Sequence, residues 1–126
     1  MKIIRTLTAT LLTAAPLMAM AHVNLESSTP AKGSTVHASP EKVILVFGET
    51  VELKSLSVSK AGSKAAAVLL ASPKEAATQF SAPMPKLVDG DYVITYRYIG
   101  DDQHDMTSTI RFKISAAAKA GAGQRK

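Results

Sequence analysis

Three segments of the chain alternate apolar and polar residues with a period of two, which is the spacing of a β-strand. The segments "DYVITYRYI" (91–99) and "STIRFKI" (108–114) alternate cleanly, so each predicts a strand with one face towards a core. The segment "KVILVFGE" (42–49) is apolar on both faces and predicts a central, well-covered strand. The residues predicted to share the core-facing sides are Val43, Leu45, Phe47, Tyr92, Ile94, Tyr96, Tyr98, Ile110, Phe112 and Ile114.

Four shorter segments are further strand candidates, and proline and glycine residues fall between them. They are "HVNLESS" (22–28), "SLSVSKA" (55–61), "AAAVLLA" (65–71) and "ATQFSA" (77–82). The stretch 71–79 is also compatible with one helical turn. About seven short strands separated by turn residues are typical of a β-sandwich. We therefore predict one all-β domain over 22–114.

The first residues of the chain have the pattern of a secretory signal peptide. Lys2 and Arg5 precede an apolar run without charge, and Ala19-Met20-Ala21 supplies the small-x-small cleavage pattern. The alternative, a buried amphipathic helix, fits less well because the run is apolar all round. Cleavage after Ala21 leaves 126 − 21 = 105 residues. Residues 1–21 are thus predicted to direct export. No other apolar run approaches the ~20 residues that span a membrane, so no membrane insertion of the mature chain is expected.

The positive charge of the chain lies outside the predicted domain. The formal net charge is +5, yet residues 22–114 contain 10 basic and 10 acidic residues. The excess comes from 1–21 and from 115–126, a flexible basic tail of small residues. A nucleic-acid-binding protein would concentrate basic residues on its folded domain, so that class is excluded. The chain has no cysteine, so any metal ligands must be nitrogen, oxygen or thioether groups.

Three histidines remain after cleavage, and two of them stand in a pattern that suits a metal. His22 would be N-terminal, where its amine and imidazole can chelate one ion. Asp102 and His104 follow a predicted strand at a spacing of two, which in extended chain points both to one side. Three nitrogens and one oxygen suit Cu(II), whereas Zn(II) would want a tetrahedron. The alternative is a turn with an exposed histidine, as predicted for His37 in "STVHASP".

At these residues the chain resembles the copper-resistance protein C (CopC) family of periplasmic copper-binding proteins. The resemblance covers nearly all of 22–114, chiefly through "LESSTPAKGSTVHASPEKVILVFGETVE" and "LVDGDYVITYRYIGDDQHDMTSTIRFKI". It implies a small Greek-key β-sandwich or barrel, of the immunoglobulin-like or cupredoxin-like kind. It also implies one Cu(II) per chain, held by His22, Asp102 and His104. Glu49 matches an acidic position close to that copper, as a weak axial ligand or a neighbour of the ligands.

The chain departs from the family pattern at two places. The family often has proline after the loop histidine, whereas Asp105 stands there in this chain. Some members have a methionine-rich loop for Cu(I), but 57–80 contains no methionine. A Cu(I) site is therefore not expected, because Met84 and Met106 alone are too few.

The resemblance implies a periplasmic Cu(II)-binding protein that acts in copper sequestration, transport or resistance and is not an enzyme. The expected partners are the copper ion and an inner-membrane copper transporter of the CopD type, and the chain is expected to be a monomer. One alternative is an enzyme similar to the copper monooxygenases, which also use an N-terminal histidine chelate. Such an enzyme needs an open coordination position, which Asp102 would fill. The other alternative is a structural β-sandwich without metal.

Overall fold

The computed structural model describes residues 24–70 and 74–116, and these form an all-β domain. Its strands are β1 (Leu25–Thr29), β2 (Thr35–Val36), β3 (Lys42–Lys60), β4 (Ala66–Val68), β5 (Ala77–Pro83), β6 (Gly90–Ile99) and β7 (Asp105–Ile114). The predicted all-β class and the count of about seven strands are confirmed. The helical turn predicted over 71–79 is wrong for its described part, because β5 begins at Ala77.

β3 joins two segments that the sequence predicted as separate strands. Val51 and Leu53 are buried at odd positions, whereas Leu56 and Val58 are buried at even positions. The change of phase occurs where the pairing with β6 shifts register between Leu53 and Ser55. An extra residue at such a bulge reverses the side to which later residues point. The chain therefore continues as one strand of 19 residues although its apolar pattern is interrupted.

β3 is the central strand because neighbours line both of its edges. Along one edge, the chain 66–83 runs antiparallel to it as β4 and then β5. Along the other edge lie β1, opposite residues 44–47, and β6, opposite residues 52–60. β6 pairs with β7 along its full length, and β2 adds a short parallel pairing at the end of β7. β2 was predicted as a surface turn rather than a strand.

The sheet curls around one core of apolar and aromatic side chains. The ten residues predicted to face this core are all at most 6% exposed. Phe47 lies at its centre, with ring centroids 5.0 Å from Tyr98 and 6.0 Å from Tyr96 and Phe80. Aromatic contacts of this kind add to the free energy gained from burial alone. Because β6 carries part of this cluster, the loop that follows β6 starts from a rigid base.

Candidate metal centre

Two chain segments approach the same part of β3 from opposite directions. Leu25 at the start of β1 lies opposite Phe47, and the Gly48 N–H donates to the Asn24 carbonyl oxygen at 3.1 Å. The described chain thus begins beside Gly48 of β3. At the other side, Ile99 at the end of β6 lies opposite Glu52. The chain after Ile99 therefore leads back towards β3 residues below 52.

These two segments also share one edge of β3. β4 and β5 occupy the opposite edge, which leaves β1 and β6 on the same one. The start of β1 and the loop after β6 thus converge beside residues 48–51 of β3. Glu49 lies in this stretch and is exposed. The structure in this way brings Asn24 towards the loop that carries Asp102 and His104. His22 itself lies outside the described residues.

The loop 100–104 is a tight turn between β6 and β7. The Gln103 N–H donates to the Gly100 carbonyl oxygen at 3.0 Å, and Gln103 has a positive φ of 62°. The Asp102 Oδ1 accepts the His104 backbone N–H at 3.1 Å, which is the hydrogen bond of an Asx turn. The chain here is therefore not extended, although the argument from the spacing of Asp102 and His104 assumed that it was. Asp102 and His104 are brought together by the turn instead.

The side chains of Asp102 and His104 contact each other directly. The Asp102 Oδ2 lies 3.1 Å from the His104 Nδ1, and both side chains are about half exposed. With its proton on Nδ1, a neutral His104 donates to this carboxylate and presents its Nε2 lone pair outward. A carboxylate that orients a metal-binding imidazole in this way is common beside metal sites. His104 can therefore bind a metal through Nε2 without losing its contact with Asp102.

Hydrogen bonding to the loop lowers the pKa of the Asp102 carboxyl. The largest cause is the hydrogen bond from the His104 backbone N–H. Desolvation opposes it, and the charge and the hydrogen bond of the His104 side chain lower the pKa further. The anionic form of Asp102 is thus favoured. An anionic carboxylate next to an imidazole is a donor pair suited to a divalent transition metal.

An ion pair closes the base of the loop. Arg97 on β6 donates from Nε to both carboxylate oxygens of Asp105, at 2.7 and 2.8 Å, and its terminal nitrogen also contacts Oδ2. The hydrogen bond and the charge of Arg97 lower the pKa of the Asp105 carboxyl. Arg97 thus balances the charge of this carboxylate.

Two residues at this end of the sheet were not identified from the sequence. The Glu26 carboxylate of β1 lies over Gly48, where a Cβ would come within 3.3 Å of its Oε1. Tyr98 is buried beneath the loop, and burial is the largest cause of its raised pKa, followed by the charges of Tyr96 and Asp102. The alternation of β6 placed Tyr98 in the core, but only the folded turn brings Asp102 near it.

His37 lies far from this loop. It follows β2, whose Val36 is opposite Ile114 at the far end of β7, and its Nδ1 is 3.3 Å from the Ser115 carbonyl oxygen. The ten residues of β7 separate the two ends by about 30 Å at the rise of a strand. The prediction that His37 is exposed is confirmed. It cannot share a metal ion with His104.

The described residues do not form a complete metal site. Within 24–70 and 74–116, no three histidine or acidic side chains form a group that could hold a metal ion. What the loop offers is one carboxylate and one imidazole nitrogen, which fits a centre completed by donors from another segment. The same residues contain no helix long and apolar enough to cross a membrane.

The fold and the loop define a class: a small all-β protein with an exposed carboxylate–imidazole pair at one end of a curled sheet. Residues 25–115 match the CopC domain family, so the chain belongs to the CopC family. It is similar to copper resistance protein C of Pseudomonas syringae pv. tomato, with 32% identity over 109 residues that cover 77% of this chain and 83% of the relative.

Solved structures agree with this membership. CopC from Methylosinus trichosporium OB3b is similar with a TM-score of 0.61 and 26% identity, over 75% of this chain and 94% of that one. PcoC, a methionine-rich copper resistance protein from Escherichia coli, gives a TM-score of 0.54 and 26% identity, over 75% and 100% of the two chains. The predicted small β-sandwich or barrel fold is confirmed by these likenesses.

Proposed function

We propose that this protein binds one Cu(II) per chain through the amine and imidazole of His22, the Asp102 carboxylate and a His104 nitrogen. The observation that carries the proposal is the convergence of the start of β1 and the loop 100–104 on the same edge of β3. Two residues of chain span at most about 7 Å, so in the proposed site His22 would reach the loop from Asn24.

The donor set explains the preference for Cu(II). An N-terminal amine has a pKa near ~8, so a metal can displace its proton near neutral pH. Imidazole and carboxylate donors suit the tetragonal geometry and high affinity of Cu(II). For Asp102 to be a ligand together with His104, its Oδ2 must leave the Nδ1 contact of the metal-free protein. This contact is solvent-exposed, so exchanging it costs little. Glu49, exposed beside the loop, is proposed as a weak axial ligand or as an acceptor for the His22 amine.

A thioether site for Cu(I) is not part of the proposal. Met84 is 8% exposed and Met106 packs against the core, so both described methionines serve packing. The similar PcoC is named for its richness in methionine, and this chain differs from it in that respect. The protein is thus proposed to handle the oxidised form of copper.

The proposed role is that of a periplasmic copper carrier rather than an enzyme. Residues 1–21 would direct export and be removed, which creates the free amine on His22, and residues 115–126 would form a tail outside the domain. The bound copper would be sequestered, or passed to an inner-membrane transporter of the CopD type, by a monomeric protein. With Asp102 in the fourth equatorial place, no position would remain open for oxygen activation.

Electron paramagnetic resonance with one equivalent of Cu(II) tests the proposal. Protein that begins at His22 should give a tetragonal spectrum with nitrogen couplings. A matched protein with one additional residue before His22 keeps every side chain but loses the chelate, because its amine is displaced. Its spectrum should change and its Cu(II) affinity should fall. Equal spectra and affinities would refute the chelate, and loose, heterogeneous binding in both would favour a β-sandwich without a copper function.

A further inference from the structure

The Arg97–Asp105 ion pair joins β6 and β7 next to the loop 100–104. Arg97 lies opposite Thr107, and Asp105 lies opposite Ile99, so the two residues are diagonal neighbours across β6 and β7. Their contact links β6 and β7 at strand positions on either side of the loop 100–104. Asp105 directly follows His104, and its carboxylate is held through both oxygens. A guanidinium that binds both oxygens fixes the orientation of a carboxylate as well as its position.

Stability alone does not account for this contact. The side chains of Arg97 and Asp105 are 52% and 43% exposed, and exposed ion pairs contribute little to the free energy of folding. An isolated positive charge near a cation site would also oppose binding of Cu(II). The Arg97–Asp105 contact would serve two purposes here. It would hold the loop in one conformation, and it would balance the charge of Arg97 next to a cation site.

Arg97 also decides which carboxylates are free to bind a metal. Asp102 and Asp105 flank His104 at spacings of two and one, and both are exposed. Both oxygens of Asp105 accept hydrogen bonds from Arg97, whereas the Asp102 oxygens accept from His104 within the loop. Without Arg97, the Asp105 carboxylate would be as available to a cation as that of Asp102.

We propose that the Arg97–Asp105 pair positions the loop 100–104 for metal binding and keeps the Asp105 carboxylate out of the ligand set. The metal-binding part of this inference rests on the proposed Cu(II) function. Arg97 and Asp105 are positioning residues, since neither is a ligand. They close the loop at the position directly after His104, where a rotation of the backbone would move the imidazole away from Asp102.

A neighbouring ion pair provides a matched control. Lys54 contacts Glu52 at 3.1 Å on β3, and its side chain is 30% exposed. Lys54 also lies close enough to Asp105 for its charge to lower the pKa of that carboxyl. Lys54→Gln therefore removes one positive charge from the same region and breaks one exposed ion pair. It leaves the base of the loop intact.

The test compares Arg97→Gln with Lys54→Gln by a competition titration of Cu(II) against a chelator. Electrostatics alone predicts that both substitutions strengthen Cu(II) binding, because each removes a positive charge. Positioning predicts that Arg97→Gln weakens it, by about tenfold if the pair behaves like other groups that support metal ligands. Arg97→Lys keeps the charge but not the planar fork, so it should restore only part of the affinity. The electron paramagnetic resonance spectrum of Arg97→Gln should become heterogeneous as Asp105 competes for copper.

A second measurement needs no copper. In the metal-free protein, NMR order parameters of the amides 101–104 should fall in Arg97→Gln and remain at the wild-type level in Lys54→Gln. Unchanged order parameters in Arg97→Gln, or Cu(II) binding at least as tight as in Lys54→Gln, would overturn the inference. A wild-type protein that binds no Cu(II) would instead refute the proposed function, and the order parameters would still decide whether the pair holds the loop.

Discussion

Tyr98 and Asp102 are four residues apart, yet they belong to regions that are held together by different kinds of contact. Tyr98 is 6% exposed and packs against Phe47 in the aromatic cluster, where burial supplies the free energy. Asp102 is exposed and held by hydrogen bonds within a turn. Contacts of the second kind contribute little to the free energy of unfolding, so a ligand can rearrange them at small cost. The rigid cluster and the exchangeable loop are adjacent because β6 runs from one into the other.

The largest effect on the free energy of unfolding is expected from a substitution in the aromatic cluster. Phe47→Ala should lower the free energy of unfolding by about 3–5 kcal/mol, since it leaves a cavity between aromatic rings. Urea denaturation measures this loss. Val68→Ala is the control, because Val68 is 74% exposed and its truncation should change stability by less than about 0.5 kcal/mol. Similar losses in the two variants would mean that the cluster does not carry the fold.

The next largest effect is expected from His104→Ala, which should remove copper binding and leave the free energy of unfolding nearly unchanged. His104→Ala is expected to weaken Cu(II) binding by at least about 100-fold, because loss of a direct ligand should exceed the loss of a group that only supports one. Its free energy of unfolding should stay within about 0.5 kcal/mol of the wild type, as for other exposed residues. The control is His37→Ala, an exposed histidine at the far end of β7. If His37→Ala weakened binding as much, the assignment of the loop histidine would be wrong.

A smaller effect is expected at the carboxylate. Asp102→Asn keeps an oxygen that can accept the His104 N–H, so the turn should persist while the anionic ligand is lost. Cu(II) affinity should fall by less than in His104→Ala, because the amide oxygen of asparagine can still coordinate copper, although more weakly than a carboxylate. Asp101→Asn removes the same charge one residue earlier and should have a clearly smaller effect. Equal effects in the two variants would show that the loop attracts copper by its overall charge and not through Asp102.

Period-two patterns were enough to predict the strands and the core because alternation along a single strand determines which of its residues face the core. The core-facing residues of β6 and β7 follow strict alternation, and all of them are buried. β3 was predicted as two strands because the bulge near Lys54 changes the phase of its apolar pattern. β2 was missed because two residues hold too little pattern, and only the register with β7 defines it as a strand.

The loop was harder to predict because its geometry is set by contacts across strands. The pairing of Asp102 with His104 was found, but for the reason that applies to extended chain, whereas an Asx turn brings them together. The Arg97–Asp105 contact depends on the register of β6 and β7, which places these residues diagonally. Sequence spacing gives no sign of it. His22 lies outside the described residues and remains a prediction on the strength of the signal-peptide pattern and the resemblance.

The smallest expected effect concerns the two carboxyls of the metal-free loop. Folding lowers the pKa of Asp102 below its ordinary 3.8, chiefly through the His104 N–H, and lowers that of Asp105 chiefly through Arg97. Because a depressed pKa favours the folded form of the loop when the carboxyl is ionised, this contribution is complete above the ordinary value. It is lost only as the pH falls through the lower folded values. NMR titration of the side-chain carboxyls should therefore show that both groups become protonated at a lower pH than an unstructured aspartate.

Arg97→Gln separates the two causes in this titration. The pKa of Asp105 should return towards 3.8, because it loses its guanidinium partner. The pKa of Asp102 should stay low as long as the turn keeps its hydrogen bond from the His104 backbone. If both values rise together, the ion pair controls the turn as well as Asp105, which is the stronger form of the positioning role. If neither value rises, Arg97 does not hold Asp105 in solution, and the loop must owe its conformation to the Asx turn alone.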